Sequence, residues 1–297
     1  MGRDVQVQAV KKFSIVGAGR LGTALGAALV RRGWLAEAIV DKDARAAREG
    51  RSIIGRGRAS TSYAAAAEAG GAVIIAVPDD AVGRVAAALA RSGGAWAGRP
   101  VFHTSGLVPS TALGPLARRG ARTASLHPVQ SFPRKDAPAS AFKGITWGIE
   151  GGPAAVEAAG EIVRALRGHI LLLSEEDKPL YHAACALASN AFVALEWTAA
   201  GILQKAGITE DAAIATLLPL VQGTLQNVKS LGLEKALTGP VLRGDIATVR
   251  KHMEALGSDP RAREIYTAAG KLVLRLAAKR GLPAGRVRTL KRLLEGR

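Results

Sequence analysis

Residues 13–29 read FSIVGAGRLGTALGAAL, and the reading of this stretch sets the fold. An aliphatic run, FSIV, passes into Gly17-x-Gly19-x-x-Gly22 and then into an alanine- and leucine-rich stretch of helical character. A bare G-x-G-x-x-G is a weak signal, but with a strand before it and a helix after it the motif opens a βαβ unit. Gly17 permits the tight turn, Gly19 lets the main chain approach a pyrophosphate, and Gly22 lets the helix pack closely on the strand. The free N–H groups at the helix start then face the phosphates. Gly17, Ala18, Gly19, Arg20, Leu21 and Gly22 are the candidate dinucleotide-binding residues, the alternative being a glycine turn with no ligand. The acidic residue expected about 20 positions further on is Asp41, placed to bind the ribose hydroxyls of NAD and repel the extra phosphate of NADP. Arg20, Lys42 and Arg45 offset that charge, so NAD and NADP both stay open.

Working outward, LAEAIV (35–40), AVIIAV (72–77), PVFHT (100–104) and TASLH (123–127) are aliphatic runs separated by helical stretches. Such continuous apolar runs read as parallel strands covered on both faces. ITWGIE (145–150) and HILLLS (169–174) add two strands around another helix, while HPVQSFPRKDAPAS (127–140) is too broken by proline for regular structure. From Glu175 onward only helical periodicity remains. The expected architecture is an α/β Rossmann domain with a mostly parallel, doubly wound sheet over 1–174, followed by an all-helical domain over 175–297.

In open α/β sheets ligands bind beyond the carboxyl ends of the strands. Val77 and Pro78, Thr104 and Ser105, and His127 all fall at such ends and are candidate site residues. Their plain alternatives are an N-capping Asp79, turn-forming Thr104 and Ser105, and histidines packed in the sheet.

The opening of the helical half, DKPLYHAACALASN (177–190), carries unusual polarity for so apolar a helix. At about 100° per residue, Lys178, His182, Cys185 and Ser189 fall on one stripe, with Asn190 a quarter turn away. Hydride transfer to a carbonyl or imine leaves charge on the heteroatom, which a placed proton donor stabilises, while a neighbouring cation holds a substrate carboxylate. Lys178 and His182 suit those roles, and Ser189 and Asn190 suit hydrogen bonding to substrate. Solvation of Lys178 and structural hydrogen bonds for His182 and Asn190 are the alternatives. Arg243, in LTGPVLRGDIATVRKH (237–252), is a candidate for binding an anionic group, or for pairing with Asp245 or with a second subunit.

Composition narrows the rest. Hydrophobic residues make up 48% with only 4% aromatic, so small aliphatic side chains build the core of a globular chain. A single cysteine, Cys185, excludes an internal disulfide, and five scattered histidines give no metal-ligand spacing. No signal peptide is visible, and the unbroken apolar runs fall far short of the roughly 18 residues that span a bilayer. A soluble cytoplasmic protein is expected. The formal charge is +17, concentrated in the last helical stretch by Lys271, Arg275, Lys279, Arg280, Arg286, Arg288, Lys291, Arg292 and Arg297. No aromatic residue punctuates these cations to stack on bases, so a solvated surface that attracts anionic small molecules is expected ahead of nucleic acid.

Taken together, GAGRLGTAL, VPDD, HTSG, SLHPVQSF, YHAACALASN and ALTGPVLRGDIATVRKH resemble, in order and over nearly the whole chain, a family of bacterial proteins of long-unassigned function. These join a Rossmann-like domain to a helical domain, within the group containing 6-phosphogluconate dehydrogenase, pyrroline-5-carboxylate reductase and ketopantoate reductase. The resemblance implies NADP or NAD as cofactor, a small anionic substrate, a helical domain that usually dimerises, and a site between the domains. It also implies an oxidoreductase, with ketopantoate reduction to pantoate as one activity, against which stands a catalytically silent NAD(P)(H)-binding regulator. One departure concerns the lysine that related dehydrogenases follow with asparagine at helical spacing. Here Lys178 is followed by His182, and Asn190 comes much later.

Overall fold

The computed structural model describes residues 11–296. Its contacts divide the chain into two compact units that meet in sequence at Ala186 and Leu187. The division falls twelve residues beyond the expected boundary at Ser174, because the first helix of the helical half packs with the sheet.

The first unit alternates strands and helices: β1 (Lys12–Val16), α1 (Arg20–Arg31), β2 (Leu35–Val40), α2 (Ala44–Ile54), β3 (Arg58–Ser60), α3 (Ala64–Ala67), β4 (Ala72–Ile75), α4 (Val82–Arg91), β5 (Pro100–His103), α5 (Gly114–Ala117), β6 (Arg122–Pro128), β7 (Thr146–Gly151), α6 (Pro153–Ala165), β8 (His169–Leu172) and α7 (Lys178–Ala186). The sheet order is β3-β2-β1-β4-β5-β6-β7-β8. Every pairing is parallel except β6 with β7, which is antiparallel. The expected strands are all present. The short β3, which no aliphatic run marks, is additional.

Two cores sandwich the sheet. On one face Phe13, Ile15, Ile39, Phe102 and Trp147 pack against Leu25 and Leu29 of α1 and Ile162 of α6. On the other, Val73, Ile75 and Val101 meet Val82, Val85 and Leu89 of α4 and Leu116 of α5. Each such fully buried side chain contributes about 1.5–3 kcal/mol. Strands apolar on both faces follow directly, since helices cover both. The proline-rich segment lies across the first face, where Phe132 stacks on Phe142 and Phe142 on Trp147, and Lys135 pairs with Glu49 of α2 at 2.9 Å.

The second unit is helical throughout: α8 (Phe192–Lys205), α9 (Glu210–Ala236), α10 (Pro240–Arg243), α11 (Ile246–Ala255), α12 (Pro260–Lys279) and α13 (Ala284–Leu294). Its core joins α10 to α13 through Val241, Val249, Met253, Leu274, Leu290 and Leu294. By contrast α8 buries only Ala200, and α9 only Ala213 and Ala236. Part of the basic tail serves this unit's own structure. Lys279 pairs with Glu234 at 2.6 Å, Arg280 donates to the Leu237 carbonyl at 2.8 Å and Arg286 to the Gly244 carbonyl at 2.7 Å. Arg297 lies outside the described residues.

Two features depart from the sequence reading. A π-helical turn, Leu187–Ala191, separates α7 from α8. Its wider winding breaks the 100° periodicity, so Ser189 does not continue the stripe of Lys178, His182 and Cys185. The turn also leaves one helical run from Lys178 to Lys205, 28 residues with a mean hydropathy of 1.3 in its apolar window, long and apolar enough to cross a membrane by length and composition. The polar residues Ser189, Asn190 and Glu196 conceal that run when only unbroken apolar stretches are counted.

At Gly22 the approach of α1 to β1 leaves no room for a methyl group, since a Cβ there would stand 2.1 Å from the Gly17 carbonyl and 3.1 Å from Ile15. Gly22→Ala is expected to destabilise the first unit by about 1–3 kcal/mol through overpacking, seen as a lower denaturant midpoint.

Candidate active site

Beyond the carboxyl ends of β1 and β4 lies a cleft of about 570 Å³, walled in part by Gly17, Gly19, Asp41, Val77 and Pro78. Gly17 has φ 103°, and a Cβ on it would stand 2.2 Å from the Ala76 carbonyl oxygen, so the turn is glycine-specific. At Gly19, by contrast, nothing lies within 4 Å of a Cβ position. That open side, above the start of a helix with no acidic residue in its first turn, suits a pyrophosphate. Ala18 is buried, Arg20 is exposed at the helix start, and Leu21 packs half-buried against the core.

Asp41 is already engaged. Its Oδ2 accepts the Ala18 N–H at 2.8 Å and its Oδ1 the Asp43 N–H at 3.0 Å. The carboxylate thus braces the glycine turn against β2. Lys42 lines the same cleft, as does Arg84, which Asp80 holds at 3.2 Å.

A second constellation stands at the carboxyl end of β6. Alternation along a strand puts Ser125 and His127 on one face, and that face meets α7. The Lys178 ammonium donates to Ser125 Oγ at 2.6 Å and to the Ser105 carbonyl at 3.4 Å. One helical turn later the Tyr181 hydroxyl meets His127 Nδ1 at 2.7 Å. Residues two apart on the strand therefore meet residues three apart on the helix. The His182 ring stands edge-on to His127 with centroids 5.9 Å apart. Two glycines make space: a Cβ at Gly148, the cross-strand partner of His127, would lie 2.5 Å from the Tyr181 hydroxyl, and one at Gly106 would lie 2.7 Å from His182.

The electrostatics follow from burial. Lys178 is 1% exposed. Desolvation lowers its pKa, while Glu150 and Asp79 act in the opposite direction. Burial first, then the neighbouring His182 and Lys178, brings His127 down to about 4. His103 also falls to about 4, through burial and then Lys178. Burial pushes the Tyr181 hydroxyl up, and contact with Cys185 adds to this. Tyr181 therefore keeps its proton and donates it to Nδ1 of a neutral His127, leaving the ring proton on Nε2. His103 is saturated: its Nδ1 accepts the Ser105 N–H at 3.2 Å and its Nε2 donates to the Pro109 carbonyl at 3.2 Å.

The structure brings Lys178, His182 and His127 together and places Ser105 beside them through its carbonyl. The Ser105 hydroxyl is committed to the local turn, accepting the N–H groups of Leu107 and Val108. Thr104 is buried, its N–H donating to the Ile75 carbonyl. Ser189 and Asn190 are exposed residues of the π-helical turn, and Arg243 is exposed at the end of α10, all three in the second unit. Asp245 caps α11 through Thr248. Tyr181 and Ser125 were not singled out in the sequence. The signal for both was their spacing, one strand period from His127 and one helical turn from Lys178. Among the described residues, no three His, Cys, Asp or Glu side chains gather into a metal site.

Two neutral histidines, the buried His103 and the half-buried His127, make stability depend on pH. Unfolded, each imidazole titrates near 6.5, and folded near 4. As pH falls through 6.5 the unfolded chain takes up protons first, so stability is full above that value and declines toward 4. The expected loss is at most about 3 kcal/mol per histidine. Urea midpoints at neutral and acidic pH test this, and His127→Gln should shrink the difference.

Residues 2–128 match a Rossmann-like domain, and residues 145–273 match a domain of unknown function, DUF2520. No curated protein matches the chain. Among solved structures, protein TM1727 from Thermotoga maritima is 25% identical with a TM-score of 0.70, covering 90% of this chain and 99% of its own. Protein BF3122 from Bacteroides fragilis is 22% identical with a TM-score of 0.69, covering 91% of this chain and 97% of its own. A reductive aminase from Aspergillus terreus, in complex with NADPH and ethyl-5-oxohexanoate, is 18% identical with a TM-score of 0.59, covering 97% of this chain and 93% of its own. These likenesses are of fold. The chain joins a Rossmann-like domain to a DUF2520 domain, the pairing that its motifs resemble.

Proposed function

We propose that this chain is an oxidoreductase that reduces a small carbonyl or imine acid with NADPH, and that ketopantoate is the first substrate to test. The observation that carries this reading is the His127–Tyr181 pair at the carboxyl edge of the same sheet whose glycine turn opens onto the dinucleotide-sized cleft. NADPH is favoured over NADH because both Asp41 oxygens hold main-chain N–H groups, while Lys42 lines the cleft. NADPH accompanies the fold in the Aspergillus terreus reductive aminase. The acid group of the substrate accords with a chain of formal charge +17.

When bound, the reduced nicotinamide supplies a hydride to the substrate carbon. The protein then has to stabilise the charge that develops on oxygen or nitrogen. A neutral His127, its Nδ1 occupied by Tyr181, offers Nε2–H as a donor fixed in tautomer and orientation. Preorganised donors of this kind contribute through having no reorganisation to undergo when charge appears. His127 keeps its proton throughout, and the proton that the reduced oxygen or nitrogen takes up comes from solvent by way of the half-buried His182 beside it. Lys178 acts on this site as a buried charge.

We also propose that the helical unit forms a homodimer. Phe192, Val193, Leu195 and Trp197 on α8 and Ile214, Leu218, Leu220 and Leu225 on α9 are exposed, Trp197 by 74%. An apolar surface of this extent marks an interaction site. Gln222, Gln226, Asn227 and Lys229 lie among the leucines of α9, a mixture suited to a protein partner in a soluble assembly more than to lipid.

Turnover is measured as loss of the reduced-nicotinamide absorbance with ketopantoate, other 2-oxo acids and cyclic imines. Tyr181→Phe is expected to lower kcat by about 10–100-fold while leaving NADPH affinity intact. Tight NADPH binding with no turnover across the panel would replace the reductase by a dinucleotide sensor. In sedimentation, the wild-type chain is expected to run as a dimer and the Trp197→Glu, Leu218→Glu variant as a monomer.

A further inference from the structure

The Ser125 hydroxyl is fully buried and has two partners. It donates its one proton to the Ser105 carbonyl at 3.0 Å, so toward Lys178 it can act only as an acceptor, and the ammonium stands 2.6 Å away. Among the described residues, Ser125 Oγ and the Ser105 carbonyl are the two acceptors of Lys178. Both lie on the sheet side, two residues along β6 from His127 and next to Gly106. The lysine stem is therefore clamped at its far end, and its ammonium is fixed on the strand residue two places before His127. We infer that Ser125 is a positioning residue, whose hydroxyl, together with the Ser105 carbonyl, seats the Lys178 ammonium beside the stretch of β6 that carries His127 and its bond with Tyr181.

A buried ammonium needs acceptors, and without them it deprotonates or moves. Either outcome removes a repelling charge from the imidazole, which then protonates more readily. The other charged and titratable groups near His127 come from every neighbouring element: Asp79 after β4, His103 on β5, Glu150 on β7, and Tyr181 and His182 on α7. Burial is the larger cause of the His127 shift, with His182 next, so losing the cation returns part of the shift and not all of it.

The value of a neutral His127 for turnover rests on the reductase reading, but the seat itself does not, and the experiment separates them. The imidazole of His127 is titrated by nitrogen-15 NMR in the whole, unliganded protein, with its signals assigned from His127→Gln. In wild type the midpoint is expected near 4. Ser125→Ala is expected to raise it by about one unit, and Lys178→Met by a similar amount. Ser125→Thr, which restores the hydroxyl, should return it to the wild-type value. If Ser125→Ala does not fold, Ser125→Cys, with its weaker acceptor, and Lys178→Met carry the same comparison. A midpoint unmoved in Lys178→Met, or equally shifted in Ser125→Thr and Ser125→Ala, overturns the positioning role whether or not the chain reduces any substrate. Absence of turnover alongside the expected titrations overturns only the reductase reading.

Discussion

The distance between α1 and β1 constrains the rest of the first unit. Because Gly22 has no side chain, the helix lies against the strand and its amino end opens above Gly17 and Gly19. Asp41 then ties the turn to the end of β2 through the Ala18 N–H. A bulkier residue at position 22 would force the helix off the strand, because its Cβ would meet the Gly17 carbonyl and Ile15. The same contact anchors the face on which Leu25 and Leu29 pack, so the cleft and the core share one geometric origin.

The site on α7 is a different kind of solution, in which a cation is kept where water does not reach. Moving an ammonium out of water is costly, and its neighbours offset that cost only in part. Lys178 has a hydroxyl and a carbonyl as close acceptors, with Glu150 and Asp79 as the attracting carboxylates. Glu150 is itself held by the Ser110 N–H and hydroxyl at 2.7 and 2.6 Å. The loop after β5, the antiparallel strand β7 and the first turn of α7 are thus linked by polar contacts around one charge. The antiparallel run of β7 contributes to this, since it sets Glu150 across from Ser125 and Gly148 across from His127.

Much of the first unit could be read from the residues. Aliphatic runs such as AVIIAV announce strands covered on both faces, and the glycine spacing announces the turn between β1 and α1. The short β3 could not be read, because RAS has no apolar pattern and its pairing is supplied by β2. Within the site, His127 and Lys178 were visible by position. Ser125 and Tyr181 needed the two periodicities to be combined across elements distant in sequence. The stripe that joined Ser189 to Lys178 assumed a uniform helix, and nothing in LASNA marks wider winding. Lys178, which the sequence leaves either facing a substrate or solvated, is enclosed by the fold, because burial depends on the sheet edge that covers it and not on local sequence.

The π-helical turn at Leu187–Ala191 has a consequence for how this chain can vary. A π-helical turn holds one residue more than an α-helical one and takes that residue up locally. Lys178 and Tyr181, the side chains that α7 commits to the sheet, both precede the turn. A residue lost from it would let the segment wind as ordinary α-helix and leave the contacts of Lys178 and Tyr181 with β6 untouched.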